Sequence, residues 1–164
     1  MYNDAATVTI PLNQYTSSSA LVNAIASTSS SQGGRDIYAG LNAARTQVLS
    51  LEFSNGARPN ARQIIILITD GSTTDDTGLT VPEAKTDYQS GIIVFAIGVG
   101  SQVNVTQLQL ISAPPQQVNS NYWTVSDFPS LQGLVLGLLT ETCNPPKTTT
   151  AGIIFKDEIY TALR

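Results

Sequence analysis

Ile64-Ile65-Ile66-Leu67-Ile68-Thr69-Asp70-Gly71 and, one helix later, Ile92-Ile93-Val94-Phe95-Ala96-Ile97-Gly98-Val99-Gly100 are the two stretches that decide the fold. Each opens as an apolar run without a polar face. That suits a strand covered on both sides in a parallel sheet, and it is far shorter than the roughly 20 residues of a membrane-spanning helix. Between them, Thr80-Val81-Pro82-Glu83 carries the signals of a helix start, with threonine at the cap, proline in the first turn and glutamate three positions on; Gly91 marks the end. Strand, helix and strand in this order predict a right-handed parallel crossover. The expected class is α/β, a Rossmann-like open and mostly parallel sheet with helices on both faces.

Working outward, Ile37, Leu41, Ala44, Val48 and Leu51 recur near a period of 3.6 and predict one long helix, closed by Asn55-Gly56 and stopped by Pro59. Leu21, Val22 and Ile25 predict a short amphipathic helix from Ser17 to about Ser27, and the glycine- and serine-rich run to Gly34 reads as a loop. Ala6 to Leu12 alternates weakly around Pro11, which suits a strand near a sheet edge. Downstream, Val105 to Ser112 predicts a helix capped by Asn104, with Gln107 reaching back to complete a capping box. Tyr122 to Val125 predicts a short strand, and Leu131, Leu134, Val135 and Leu138 share one face of a closing helix. The expected organisation is one domain over 1–144, then a linker and unassigned tail over 145–164, where Pro145, Pro146 and Thr148 to Thr150 give linker composition.

Composition excludes several classes. With 164 residues, 41% hydrophobic and 12% charged, the chain can bury a real core. A net charge of -4 with scattered acids leaves no basic face for nucleic acid or an anionic membrane surface. The absence of histidine removes the usual general base and every Ser-His-Asp or Cys-His arrangement. Gly98-Val99-Gly100 follows a strand as a dinucleotide loop should, yet Val103 stands where the third small residue belongs. Asp75-Asp76 reads as solvated loop. A nucleotide-binding α/β enzyme is the least favoured reading.

Two features bear on compartment. Cys143 is the sole cysteine, either a small buried hydrophobe or half of a bridge leaving this chain. Asn104-Val105-Thr106 fits the N-glycosylation pattern, and Asn104 reads equally well as a helix cap. Met1-Tyr2-Asn3-Asp4 has neither a basic start nor an apolar stretch, so if the protein is exported its secretory signal is expected upstream.

The order of these pieces resembles the von Willebrand factor type A family across Met1 to about Pro146. Tyr2-Asn3-Asp4 is similar to the end of the family's second strand, and Ile10-Pro11-Leu12-Asn13-Gln14-Tyr15 with Leu21 and Ile25 to its third strand and following helix. Gly33-Gly34 before Ile37 and Leu41 resembles the loop opening the next long helix, Ile68-Thr69-Asp70-Gly71 the end of the fourth strand, and Phe95-Ala96-Ile97-Gly98-Val99-Gly100 the fifth. Leu108, Ile111, Ser112, Tyr122-Trp123, Val125 and Asp127-Phe128 look like the closing elements, and Cys143 stands where many members carry a terminal cysteine.

The resemblance implies a doubly wound sheet whose loops at the carboxyl ends of the strands bind a protein partner, in matrix or on a cell surface, through recognition and not chemistry. In metal-binding members an Asp-x-Ser-x-Ser loop, a threonine and an aspartate hold magnesium or manganese. Here the first strand and its Asp-x-Ser-x-Ser loop would lie upstream of Met1, so the central strand is expected to be missing. Asp70 matches the aspartate and is the candidate metal ligand; its ordinary reading is a strand-ending Asp-Gly turn. Arg35 stands where threonine is wanted, a cation without acceptors, so the expected cofactor is a divalent ion in a full-length domain and none in this chain. Arg35 is expected either to take some of the cation's space and pair with Asp70 or to stand as an exposed arginine at a helix start. Asp70-Gly71-Ser72-Thr73-Thr74 imitates the first-loop motif, but the glycine pair before it and the Phe95 strand after it favour the third-loop assignment. The candidate ligand-facing residues are therefore Arg35, Asp36, Asp70 and Ser72. Cys143 would pair with a cysteine outside this chain, and the protein would be extracellular. The alternative is an intracellular member of the same fold inside a multi-protein assembly. Without the central strand, one edge of Ile64 to Ile68 is expected to be open, leaving the chain marginally stable or letting Ala6 to Leu12 fill the gap.

Overall fold

The computed structural model describes residues 1–2, 4–29, 33–51, 55–73, 78–134, 137–138 and 140. Cys143, Asp75-Asp76 and the tail over 145–164 lie outside them.

Three strands, β1 (Ile64–Thr69), β2 (Ile93–Val99) and β3 (Tyr122–Val125), form a sheet in that order. Both pairings are parallel, Ile66 opposite Phe95 and Ile97 opposite Trp123. Alternation along the strands builds two cores. On one face Leu67, Val94 and Ala96 meet Ile37 and Leu41 of α2 (Ile37–Ala43), Ala84 of α3 (Thr80–Gln89), and Leu108 and Ile111 of α4 (Val105–Ile111). On the other, Phe95, Ile97, Val99 and Trp123 take Leu131, Leu134 and Leu138. Phe95 and Trp123 pack tilted at 44° with centroids 5.9 Å apart. The expected open α/β sheet with helices on both faces is observed.

β2 is buried on both faces, but β1 is not: Ile66 is 43% and Ile68 45% exposed. Among the described residues β1 has a strand neighbour on one side only. Ala6 to Leu12 does not fill that edge. Its alternating exposure survives, yet it makes one isolated bridge, Tyr2 to Ala6, and Leu12 N–H donates to the Asn55 carbonyl. An extended segment without a ladder partner is not a strand, so that expectation is corrected.

Five other expectations change. The long helix stops being α-helical after Ala43 and continues as a π-helical turn, Ala44–Val48, leaving Leu51 59% exposed. Thr80 is not the cap of α3: Leu79 is, Thr80 is fully buried in the first turn, and Glu83 turns to Arg45. Asn104 caps α4 as expected, its Oδ1 accepting from Gln107 N–H at 3.1 Å, but the Gln107 side chain accepts from Thr73 N–H instead of reaching back. The closing helix begins as a 3-10 turn, Pro129–Leu134. The first helix, α1 (Ser18–Ala26), starts at Ser17 as expected but buries no residue.

Candidate functional site

Parallel strands direct their carboxyl ends to one rim, where the chain must leave the sheet and its loops converge. The loop after β1 holds Asp70, Gly71, Ser72 and Thr73, and the loop entering α2 brings Arg35 and Asp36 beside it.

Arg35 and Asp70 are brought together, with Nε 3.6 Å from Asp70 Oδ1. Both face solvent, Arg35 being 36% and Asp70 61% exposed. Arg35 Nε also donates to the Ser72 carbonyl at 3.3 Å, so Ser72 enters the site through its backbone. The guanidinium lies against Gly71: a Cβ there would stand 2.6 Å from Nε, 2.7 Å from Nη2 and 2.9 Å from Cζ. Glycine is what admits it. Asp36 does different work, its Oδ1 accepting from Ala39 N–H at 2.9 Å as the cap of α2.

Three residues of the site escaped sequence reasoning. Thr73 Oγ1 donates to the Arg35 carbonyl at 2.8 Å and its N–H is held by Gln107 Oε1 at 3.2 Å, tying the loops before α2 and after β1 to α4. The Tyr2 hydroxyl donates to the Ile68 carbonyl at 3.1 Å, two residues before Asp70. Burial raises its pKa, the Thr69 hydrogen bond opposes, Asp70 adds to the rise and Arg35 resists it. The Tyr2 ring packs on Gly40, where a Cβ would meet it at 3.0 Å. Asp4 Oδ1 accepts from Gly34 N–H and steadies the glycine pair. At the end of β3, hydrogen bonds from the Ser130 hydroxyl and N–H, then from Ser126, hold the exposed Asp127 carboxyl below the ordinary carboxylate range.

Asp70 is an oxygen donor of the right kind for magnesium, but its neighbour is a fixed cation. A divalent ion there would face the guanidinium at short range, and among the described residues no group of three His, Cys, Asp or Glu could hold a metal. The residues present do not fit the ion. A dinucleotide fares no better at Gly98. A Cβ there would lie 2.4 Å from Val103 Cγ1 and 2.7 Å from Leu108 Cδ1, so apolar side chains fill the space where a pyrophosphate would approach.

Comparison with known proteins fits this geometry. The model of the von Willebrand factor type A domain matches residues 1–136. The collagen alpha-4(VI) chain of Mus musculus is 35% identical over 136 residues, 81% of this chain and 5% of that protein. The collagen alpha-6(VI) chain of Homo sapiens is 38% identical over 92 residues, 56% of this chain and 4% of that one. This chain thus spans a small part of either relative. Among solved structures, proximal thread matrix protein 1 from the mussel byssus superposes with a TM-score of 0.78 at 24% identity, covering 87% of this chain and 35% of that one. The same mussel protein with a zinc-occupied MIDAS motif gives a TM-score of 0.74 at 23% identity. These likenesses carry the fold, and the match over 1–136 carries the family. The chain belongs to the von Willebrand factor type A domain family.

Proposed function

We propose that this domain is a non-catalytic recognition module of an extracellular protein, binding a protein ligand of the matrix or of a cell surface through the loops at the carboxyl ends of its strands. The observation that carries the reading is the gathering of Arg35, Asp70 and the Ser72 carbonyl on one solvent-facing rim, in a chain related to collagen chains. Arg35, whose carbonyl is held by Thr73 and through it by Gln107, is pre-organised for contact, which lowers the cost of ordering on binding. Asn104 and Thr106 are both exposed, which supports Asn104 as a glycosylation site, and Cys143 is proposed to bridge to a cysteine outside this chain.

The test is binding of the purified chain to a panel of immobilised collagens and matrix glycoproteins, followed by interferometry. Saturable binding to at least one of them, weakened by Arg35→Glu, is expected. Binding to none, or binding indifferent to every substitution in the loops after β1 and before α2, would overturn the reading.

A further inference from the structure

Resting on that reading, we propose that the Arg35 guanidinium is itself the cation of the recognition site, and that it takes an acidic side chain of the protein partner directly, without a divalent metal. Arg35 is built into its place. Its guanidinium lies on the cradle that Gly71 leaves open, its Nε is held by the Ser72 carbonyl, and its own carbonyl is held by the Thr73 hydroxyl. Guanidinium presents its donors in a planar fork that matches a carboxylate, and the group stays charged at every physiological pH.

Asp70 is then a counterion and not a metal ligand. At 3.6 Å from Nε and 61% exposed, it makes a loose pair in high dielectric, the kind worth little and readily exchanged. A partner carboxylate displaces it from the guanidinium and leaves Asp70 to water, which its exposure allows. Asp36 does not compete, because its carboxylate is engaged as the cap of α2. The proposal gives Asp70 a sign opposite to the one a metal site would give it. Removing its charge takes a competing carboxylate away from Arg35 and strengthens carboxylate binding, whereas removing a metal ligand weakens it.

The experiment uses the full chain labelled with [15N]arginine, in EDTA, titrated with glutarate while the Arg35 Nε–H resonance is followed. Arg45, Arg58 and Arg62 serve as internal references. A saturable shift confined to Arg35 is expected, tightened severalfold by Asp70→Asn and weakened about tenfold or more by Gly71→Ala, which fills the cradle while keeping the charge. Arg35→Gln supplies the baseline, and the backbone amide spectrum verifies the fold of each variant. In a parallel sample sub-millimolar manganese is expected to leave the Gly71 and Arg35 signals unbroadened. Three results would each overturn the proposal: no Arg35 shift in EDTA, selective manganese broadening at Gly71, or weaker glutarate binding in Asp70→Asn. If the chain binds matrix proteins only with magnesium and indifferently to Arg35→Gln, the inference fails and the recognition reading stands. If it binds none, the recognition reading fails first.

Discussion

Glu83 and Asp87 stand one helical turn apart on α3 and share Arg45, whose Nη2 lies 2.5 Å from Glu83 Oε1 and whose Nε lies 3.2 Å from Asp87 Oδ1. The Arg45 N–H is aimed at Glu83, which also accepts from Asn42 Nδ2 at 3.3 Å. Both Asp87 oxygens are buried, without a hydrogen bond among the described residues. The π-helical turn over Ala44–Val48 is what carries Arg45. Two buried carboxylates against one guanidinium leave an excess negative charge, and burial first, then Glu83, push Asp87 up to about 7 against the pull of Arg45.

The sign of the pH dependence follows. Asp87 binds its proton more tightly folded than unfolded, so its contribution is fully present below the unfolded value of 3.8 and is lost as pH rises through about 7. Between those limits stability should fall with rising pH. Asp127, shifted downward, acts below this window and does not mask it. Asp87→Asn should flatten the slope and stabilise the domain by roughly 1–2 kcal/mol at about pH 8, less than the full linkage because Arg45 loses an ionic partner. Urea denaturation of both proteins at about pH 5 and about pH 8 checks this; a wild-type chain more stable at the higher pH contradicts it.

Gly98 is held to its identity by packing and not by a nucleotide. Gly98→Ala should cost roughly 1–3 kcal/mol, because Val103 and Leu108 must both retreat from the new methyl. Adding Val103→Ala should recover part of the loss, and thermal unfolding of the two variants reads the difference. Equal stability of Gly98→Ala and the parent would remove the close packing as an explanation for this glycine.

Asn104 can serve as cap and sugar acceptor together, since the cap uses Oδ1 and a glycan would sit on Nδ2. Expressed through a secretory pathway, the chain should lose mass on treatment with a peptide N-glycosidase, and Thr106→Ala should abolish that change while leaving stability within about 0.5 kcal/mol. Asn104→Ala should abolish it too and cost about 1 kcal/mol, the worth of a cap. An untreated chain already at its polypeptide mass would leave only the cap.

Legibility followed sequence distance. β1, β2, β3 and α4 were readable because each is announced by its own residues: apolar runs, aromatic alternation, an asparagine cap. What failed depended on partners far along the chain. Glu83 reads as a capping glutamate until Arg45, 38 residues away, claims it, and Gln107 reads the same way until Thr73, 34 residues away, does. Ala6 to Leu12 has the alternation of a strand, but among the described residues no strand edge pairs with it. In the site, the pairing of Arg35 with Asp70 was legible only through the family resemblance, which aligned two distant loops. Tyr2 was not legible at all, because its hydroxyl bonds a carbonyl 66 residues away.

Ile66 and Ile68 set the last expectation. They lie on the same face of β1, each nearly half exposed, beside an edge that has no strand neighbour among the described residues. β1 carries no charge and no proline, the devices by which natural edges discourage pairing with another chain. An apolar edge of six residues is a template for a second strand, so the chain should self-associate as concentration rises. Ile66→Lys should suppress this at little cost in stability, since the side chain is 43% exposed and the lysine stem can cover part of the same surface. Sedimentation velocity across a concentration series distinguishes the outcomes. Association that rises with concentration in the parent and not in the variant locates the contact at β1, while a parent that stays monomeric throughout means that Tyr2, seated on the Ile68 carbonyl, already closes the edge.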